Sequence, residues 1–336
     1  MANMKQWIAQ LRDASEKRAF PILSFPSIAL MNTTVRELIS SAEMQARGMK
    51  LIADRIDSAA SVSMMDLSVE AEAFGATVKV SDGEVPTVTG HIVETEEQTE
   101  ALQIPDVFSN RTGRYVEAIR LACEQITDRP VFAGAIGPFS LAGRLLDVTE
   151  IMVLCYDEPD MVHTVLEKAT EFLIRYISAY KQTGAGGVMV AEPLAGLLSP
   201  ALMKEFAAPY MKRIVDAVQD DEFIVIYHNC GNAVMRLIEP ILSCGASAYH
   251  FGNAIDIREM LEKMPEDVVV MGNIDPVGQF VAGTPDSMRE ATLSLLERCA
   301  AHNNFVISSG CDIPPLAKWE NIDAFFAAVA SFYGRN

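Results

Sequence analysis

Several features are missing from this 336-residue chain, and each absence narrows its identity. No apolar run approaches the roughly 18 residues of a membrane span. The segment Met1–Arg18 is mixed polar and lacks the apolar centre of a secretory leader. Neither GxGxxG nor GxxxxGKS/T occurs, so the glycine-rich loops that mark nucleotide-binding sheets are absent. No CxxC pair occurs, and no Pro/Gly/Ser linker, low-complexity tract or short-period repeat divides the chain. Positive charge is scarce. Only 27 Lys and Arg stand against 45 Asp and Glu, a net charge of −18. Such a body repels phosphate backbones and anionic membrane surfaces, which argues against nucleic-acid and membrane partners. These absences together lead us to expect a soluble, cytoplasmic protein whose cysteines are thiols or metal ligands.

Half of the residues are hydrophobic, ample for a large core. Short apolar runs alternate with longer amphipathic segments, most clearly after residue 130. Strands are expected at Ala59–Met65, Val131–Ala135, Gly187–Ala191, Phe223–Tyr227, Ala246–His250, Val268–Met271 and Phe305–Ser308. Helices are expected between them, one opened by Ser199-Pro200 and one capped by Thr284. Strand alternating with helix implies βαβ units and a parallel sheet. The expected fold class is α/β, a (β/α)8 TIM barrel with a helical N-terminal extension; an open doubly wound sheet competes with it, though that fold usually carries the glycine-rich loop absent here. Residues 1–50 form the extension and 51–336 a single catalytic barrel. An eighth strand must then come from Thr77–Val93.

Barrels of this kind carry their chemistry just past the C-terminal ends of the strands. Six of the seven strand ends here hold His, Cys, Asp, Glu or Asn: Asp66, Glu192, His228-Asn-Cys230, His250, Asn273-Ile-Asp275 and Cys311-Asp312. His228 and Cys230 are one residue apart on an extended segment, so both side chains emerge on one side. Imidazole and thiolate together suit Zn2+. Cys311, at another strand end, is the natural third donor. Three protein donors leave one tetrahedral position open, the pattern of a catalytic site. A chance HxC is common enough that the motif alone is weak. Asp66 and Glu192 also read plausibly as partners of arginines, and His250 as a satisfied core histidine. Cys123, Cys155, Cys244 and Cys299 read as core thiols, and His91, His163 and His302 as surface.

Longer stretches carry a resemblance. They are Asp66–Gly75, Gly137–Ala142, Glu192–Pro200, His228–Asn232, Gly272–Pro276 and Gly310–Pro315, followed by Glu320-Asn321. From Asp66 to the C-terminus the chain resembles the uroporphyrinogen decarboxylase superfamily, and within it the cobamide-dependent methyltransferases. The resemblance implies a (β/α)8 barrel with zinc held by His228, Cys230 and Cys311. It also implies a methylcobamide methyl donor presented by a partner corrinoid protein, and a small-molecule acceptor such as coenzyme M or a folate. Asp66, Glu192 and His250 would act beside the metal, and His250, Glu192 or water would supply any fourth ligand. The decarboxylase branch grips its substrate with an arginine-rich N-terminal signature. The matching stretch, Phe20–Ile28, has no arginine, and none occurs before Arg36. Asp66 matches the decarboxylase's key aspartate and does not separate the branches. Two other activities compete with methyl transfer: decarboxylation of a porphyrinogen or other polycarboxylate, and non-catalytic corrinoid binding.

Overall fold

The apolar runs have few polar residues because both of their faces are covered, as in a parallel sheet wrapped by helices. The computed structural model, which describes residues 3–335, shows them as β1 Ser61–Val62, β4 Val131–Ile136, β5 Gly187–Ala191, β6 Ile224–Asn229, β7 Ala248–Phe251, β8 Val269–Ile274 and β9 Phe305–Ser309. Between the first two, β2 Thr77–Lys79 and β3 Thr87–Thr89 pair with each other. The seven pair in parallel in the order β1-β4-β5-β6-β7-β8-β9, forming a curled sheet. Alternate residues, among them Phe132, Met189, Ile224, Ile226, Ala248, Met271 and Val306, pack together as an interior core. The intervening residues pack into a second, larger core with the helices. No helix among the described residues is long and apolar enough to cross a membrane.

The helices follow from local signals. Before β1 lie α1 Met4–Asp13, α2 Ser27–Met31, α3 Val35–Ser40 and α4 Ala42–Arg55. The long excursion between β1 and β4 contains α5 Val69–Ala73, α6 Glu96–Ala101 and α7 Asn110–Gln125. Thr95 caps α6 in a capping box with Gln98, which places Glu96 and Glu97 in its first turn. After β4 come α8 Pro138–Leu146, α9 Glu150–Asp157 and α10 Pro159–Gln182. The break between α9 and α10 falls at Glu158, before Pro159, where proline disfavours a continuous helix. Along α10, Val162, Val165, Leu166, Ala169, Phe172, Leu173 and Tyr176 recur at helical spacing and are buried. Ser199 and Thr284 cap the helices they precede, as expected from the sequence.

Two expectations fail. Residues 77–93 do not supply an eighth barrel strand, because β2 and β3 form a separate antiparallel hairpin. The N-terminal segment is not wholly outside the barrel either. Strands β1 and β9 do not pair, and Ala19–Ile22 lies between them. The Ala59 N–H donates to the Ala19 carbonyl (2.8 Å) and the Phe20 N–H to the Ile307 carbonyl (3.0 Å). The Ile22 N–H donates to Ser309 Oγ (3.1 Å), and Ile22 accepts from the Ile313 N–H (3.0 Å). Phe20 and Ile22 belong to the interior core, with the Phe20 ring 5.3 Å from that of Phe132. This stave closes the wall where a strand is missing.

Candidate metal centre

On β6, Ile224 and Ile226 point into the barrel, so His228 continues that inward row at the strand's C-terminal end. Cys230 follows two residues later, and Cys311 enters from the end of β9. The Nε2 and Sγ donor atoms of His228, Cys230 and Cys311 all lie within 4.8 Å of one another. Cys311 Sγ is 3.6 Å from His228 Nε2. Two tetrahedral ligands of one zinc ion stand roughly 3.5 Å apart, so the set fits Zn2+ in spacing as well as in donor type. The hydrogen bond with Cys311, opposed by burial, holds the Cys230 thiol below its ordinary range. The same contact and burial push the Cys311 thiol up. All six cysteines are free thiols.

Close backbone approach makes room for this cluster. A Cβ on Gly252 would lie 2.6 Å from Cys230 Cβ, so only glycine fits beside the thiol. The Asn273 amide donates to the Gly252 and Ile255 carbonyls at 3.0 and 2.9 Å, pinning the loop that carries Gly252.

Behind His228 runs a buried chain of hydrogen bonds whose direction can be worked out. Ser308 Oγ donates its single proton to the Phe20 carbonyl (2.8 Å), which can only accept. Ser308 must therefore accept from His250 Nε2–H (2.7 Å). Burial, aided by the neighbouring His228, drives the His250 pKa well below its ordinary value, so the ring is neutral. Its Nδ1 is then a bare lone pair that accepts from His228 Nδ1–H (2.8 Å). This leaves the His228 Nε2 lone pair facing the two cysteines, the form a metal requires.

The other expected site residues lie apart from this cluster. His250 is fully buried with both ring nitrogens engaged, so it backs His228 and is not a fourth donor. Glu192 is also fully buried. Its Oε1 accepts from the Phe139 N–H (2.9 Å), and its Oε2 from the Ser140 N–H (2.9 Å) and hydroxyl (2.6 Å). It clamps the N-terminus of α8, a favourable place for a carboxylate. Burial outweighs those bonds and raises its pKa to about 7. A Cβ on Gly137 would collide with this carboxylate, which explains that glycine. The Asp66 side chain has no exposed surface. Its Oδ2 accepts from Arg111 Nη1 (2.5 Å) and the Tyr115 hydroxyl (2.7 Å), its Oδ1 from the Ser68 hydroxyl (2.6 Å). Arg111 also holds Glu72 at 2.5 Å. Asp66 thus anchors a buried ion-pair network, and its oxygens are committed to it.

The structure adds residues the sequence reading gave no role. Ser308 orders the histidines. Asp312, next to Cys311, accepts the Met65 N–H (2.7 Å) and ties the ends of β1 and β9 together across the mouth. Burial raises its carboxyl to about 8, and its Oδ1 has no protein partner. Arg111 lies 45 residues from Asp66, a spacing no local pattern reveals.

Known proteins share this architecture. A methyltransferase structure from Methanosarcina mazei superposes with a TM-score of 0.85 at 22% identity, covering 99% of this chain and all of that one. A B12-independent methionine synthase from a Shewanella species superposes with a TM-score of 0.62 at 13% identity, over 94% and 93% of the two chains. In sequence, the methylcobamide:CoM methyltransferase MtbA of Methanosarcina acetivorans is 28% identical over 261 residues, 76% of this chain and 75% of the relative. A uroporphyrinogen decarboxylase from Desulfotalea psychrophila is 28% identical over 244 residues, 71% and 70% of the two. Proteins of both names are therefore similar to it, and the family pattern described as uroporphyrinogen decarboxylase (URO-D) matches residues 27–332, so the chain belongs to the uroporphyrinogen decarboxylase family.

Proposed function

We propose that the protein is a zinc-dependent methyltransferase that moves a methyl group from a methylcobamide to a small thiol such as coenzyme M. The clustering of His228, Cys230 and Cys311 at the strand ends carries this reading. These three residues would hold the metal. Bound there, Zn2+ lowers the pKa of a thiol so that its thiolate is available at neutral pH. In the overall reaction a sulfur–carbon bond forms as the methyl–cobalt bond breaks. The electron pair stays on cobalt as cob(I)amide, and the thiol proton leaves to solvent. The chain's own residues prepare the site. Two thiolates offset the charge of a dication, which favours a nucleophilic sulfur. The Ser308–His250 relay fixes His228 with its lone pair outward. Glu192 and the Asp66 network stiffen the frame from behind.

Decarboxylation fits the residues less well. An aspartate that must touch a pyrrole needs a free oxygen, and Asp66 has given both to Arg111, Tyr115 and Ser68. In the stretch that would carry arginines, Phe20 and Ile22 instead pack into the interior core.

The test combines zinc-loaded protein with methylcobalamin and 2-mercaptoethanesulfonate, following cob(I)alamin by absorbance. Transfer that depends on both thiol and zinc is expected, with about one zinc per chain. Cys230→Ser and Cys311→Ser should each lose most of the zinc and the transfer. Equal transfer by metal-free protein would overturn the reading, as would conversion of uroporphyrinogen III to coproporphyrinogen.

A further inference from the structure

The connections that follow the strands' C-terminal ends form the mouth of the barrel, around Cys230 and Cys311. Six large apolar side chains are exposed among the described residues: Phe108, Val153, Tyr156, Leu197, Val277 and Leu316, 48% to 70% exposed. Each lies between a strand's C-terminal end and the long helix that follows it, with Val153 and Tyr156 on the short helix α9. They follow β1, β4, β5, β8 and β9. With the Ala19–Ile22 stave between β9 and β1, those strands are consecutive around the wall. The apolar side chains therefore form one arc, open only at the connections after β6 and β7. Scattered apolar surface is ordinary, but confinement to one face marks an interaction site.

Charge is confined in the same way. The seven mouth connections are residues 63–109, 137–158, 192–199, 230–237, 252–256, 275–284 and 310–318. They hold eighteen acidic residues against four basic ones, which leaves twenty-seven against twenty-three in the rest of the chain. Of these acids Asp66, Glu70 and Glu192 are buried, and burial also raises Asp312; Asp66 and Glu72 pair with Arg111, Asp82 with Arg36 and Asp256 with Arg298. The remaining acids still outnumber the bases there, so the face with the exposed apolar residues is acidic.

We propose that this face docks a protein whose own surface there is basic and studded with apolar side chains. Two acidic mouths repel each other, which disfavours a second copy of this chain. Nucleic acids and anionic bilayers are repelled for the same reason. A small hydrophilic cation has no use for the apolar arc. Resting on the methyl-transfer reading, the partner is the carrier that brings the corrinoid to the mouth. Charge complementarity then steers its encounter with the barrel, and the apolar arc sets its lifetime there.

The probe is a fluorescein-labelled amphipathic helical peptide of lysine and leucine, with a glutamate–leucine peptide as its counterpart. Fluorescence anisotropy should show micromolar binding of the lysine peptide at about 20 mM salt, weakened at least about tenfold at 0.3 M. The glutamate peptide should not bind. Phe108→Ser with Tyr156→Ser, and separately Glu150→Gln with Glu158→Gln, should each weaken binding by about tenfold. Glu222→Gln with Glu266→Gln, at the opposite end, should leave it unchanged. Hydrogen exchange should slow in 94–109, 147–158 and 275–284 on binding, and not in 230–237 or 252–256. Equal binding by the mouth variants, or protection at the opposite end, overturns the proposal. A protein that transfers methyl groups from free methylcobalamin to the thiol yet shows no face-specific binding rejects the docking surface alone. One that binds the peptide at the mouth but transfers no methyl group rejects the reaction alone.

Discussion

Ser308 has a single hydroxyl proton, and the His228 tautomer follows from where that proton goes. Removing the hydroxyl leaves His250 Nε2–H without its partner in a fully buried place, at a cost of about 1–3 kcal/mol. It also frees both rings to exchange tautomers. Ser308→Ala should therefore lower zinc affinity by about ten- to a hundredfold in a chelator competition. In the metal-free protein, nitrogen-15 spectra should show His228 moving from one tautomer to a mixture. Unchanged affinity and an unchanged spectrum would mean that the relay does not position His228. The cluster of His228, Cys230 and Cys311 was legible in the sequence, because an HxC pair and a distant cysteine at strand ends form a pattern. Ser308 was not, since one serine on an apolar strand looks like any other. Asp66 and Glu192 were legible as unusual residues with two readings each; Asp66 pairs with Arg111, as one of them allowed, while Glu192 meets the N-terminus of α8 and no arginine. Polarity at a strand end does not say whether a carboxylate faces the cavity or a neighbouring helix.

Helices and strands were readable where a period persisted. The face of α10 and the strands from β4 onward are long enough to declare themselves. The closing stave was hidden because Ala19–Ile22 is short, and Pro21 has no N–H to give a ladder. Its partners are residues nearly 300 positions away, such as Ile307 and Ser309. The clamp between Glu192 and α8 makes a prediction at this scale. Its carboxyl is raised from an ordinary value near 4.5 to about 7, mainly by burial. The folded state therefore prefers the protonated form. Stability from this group is complete below about pH 4.5 and declines as pH rises through 7. The difference amounts to about 3 kcal/mol. Glu70, also raised to about 7 by burial, slopes the same way. Denaturant unfolding from pH 4.5 to 7.5 should show Glu192→Gln with a flatter decline than wild type by about that amount. Parallel profiles would show that Glu192 is ionised throughout and held by the helix N-terminus.

The whole molecule separates its tasks by end and by layer. The interior core and the Asp66 network hold the wall, the His250 relay lies one layer behind the donors, and acid and apolar surface gather at the mouth. Net charge read from composition cannot reveal that gathering, because it appears only once the connections are assigned to one end. The central claim concerns three donors and one open position. X-ray absorption at the zinc edge of the loaded protein, recorded without and with 2-mercaptoethanesulfonate, tests it most directly. The account predicts two sulfurs at about 2.3 Å with light-atom ligands from His228 and solvent, and a third sulfur when the thiol is added. A zinc ion without sulfur ligands, or a sulfur count that the thiol leaves unchanged, would contradict it.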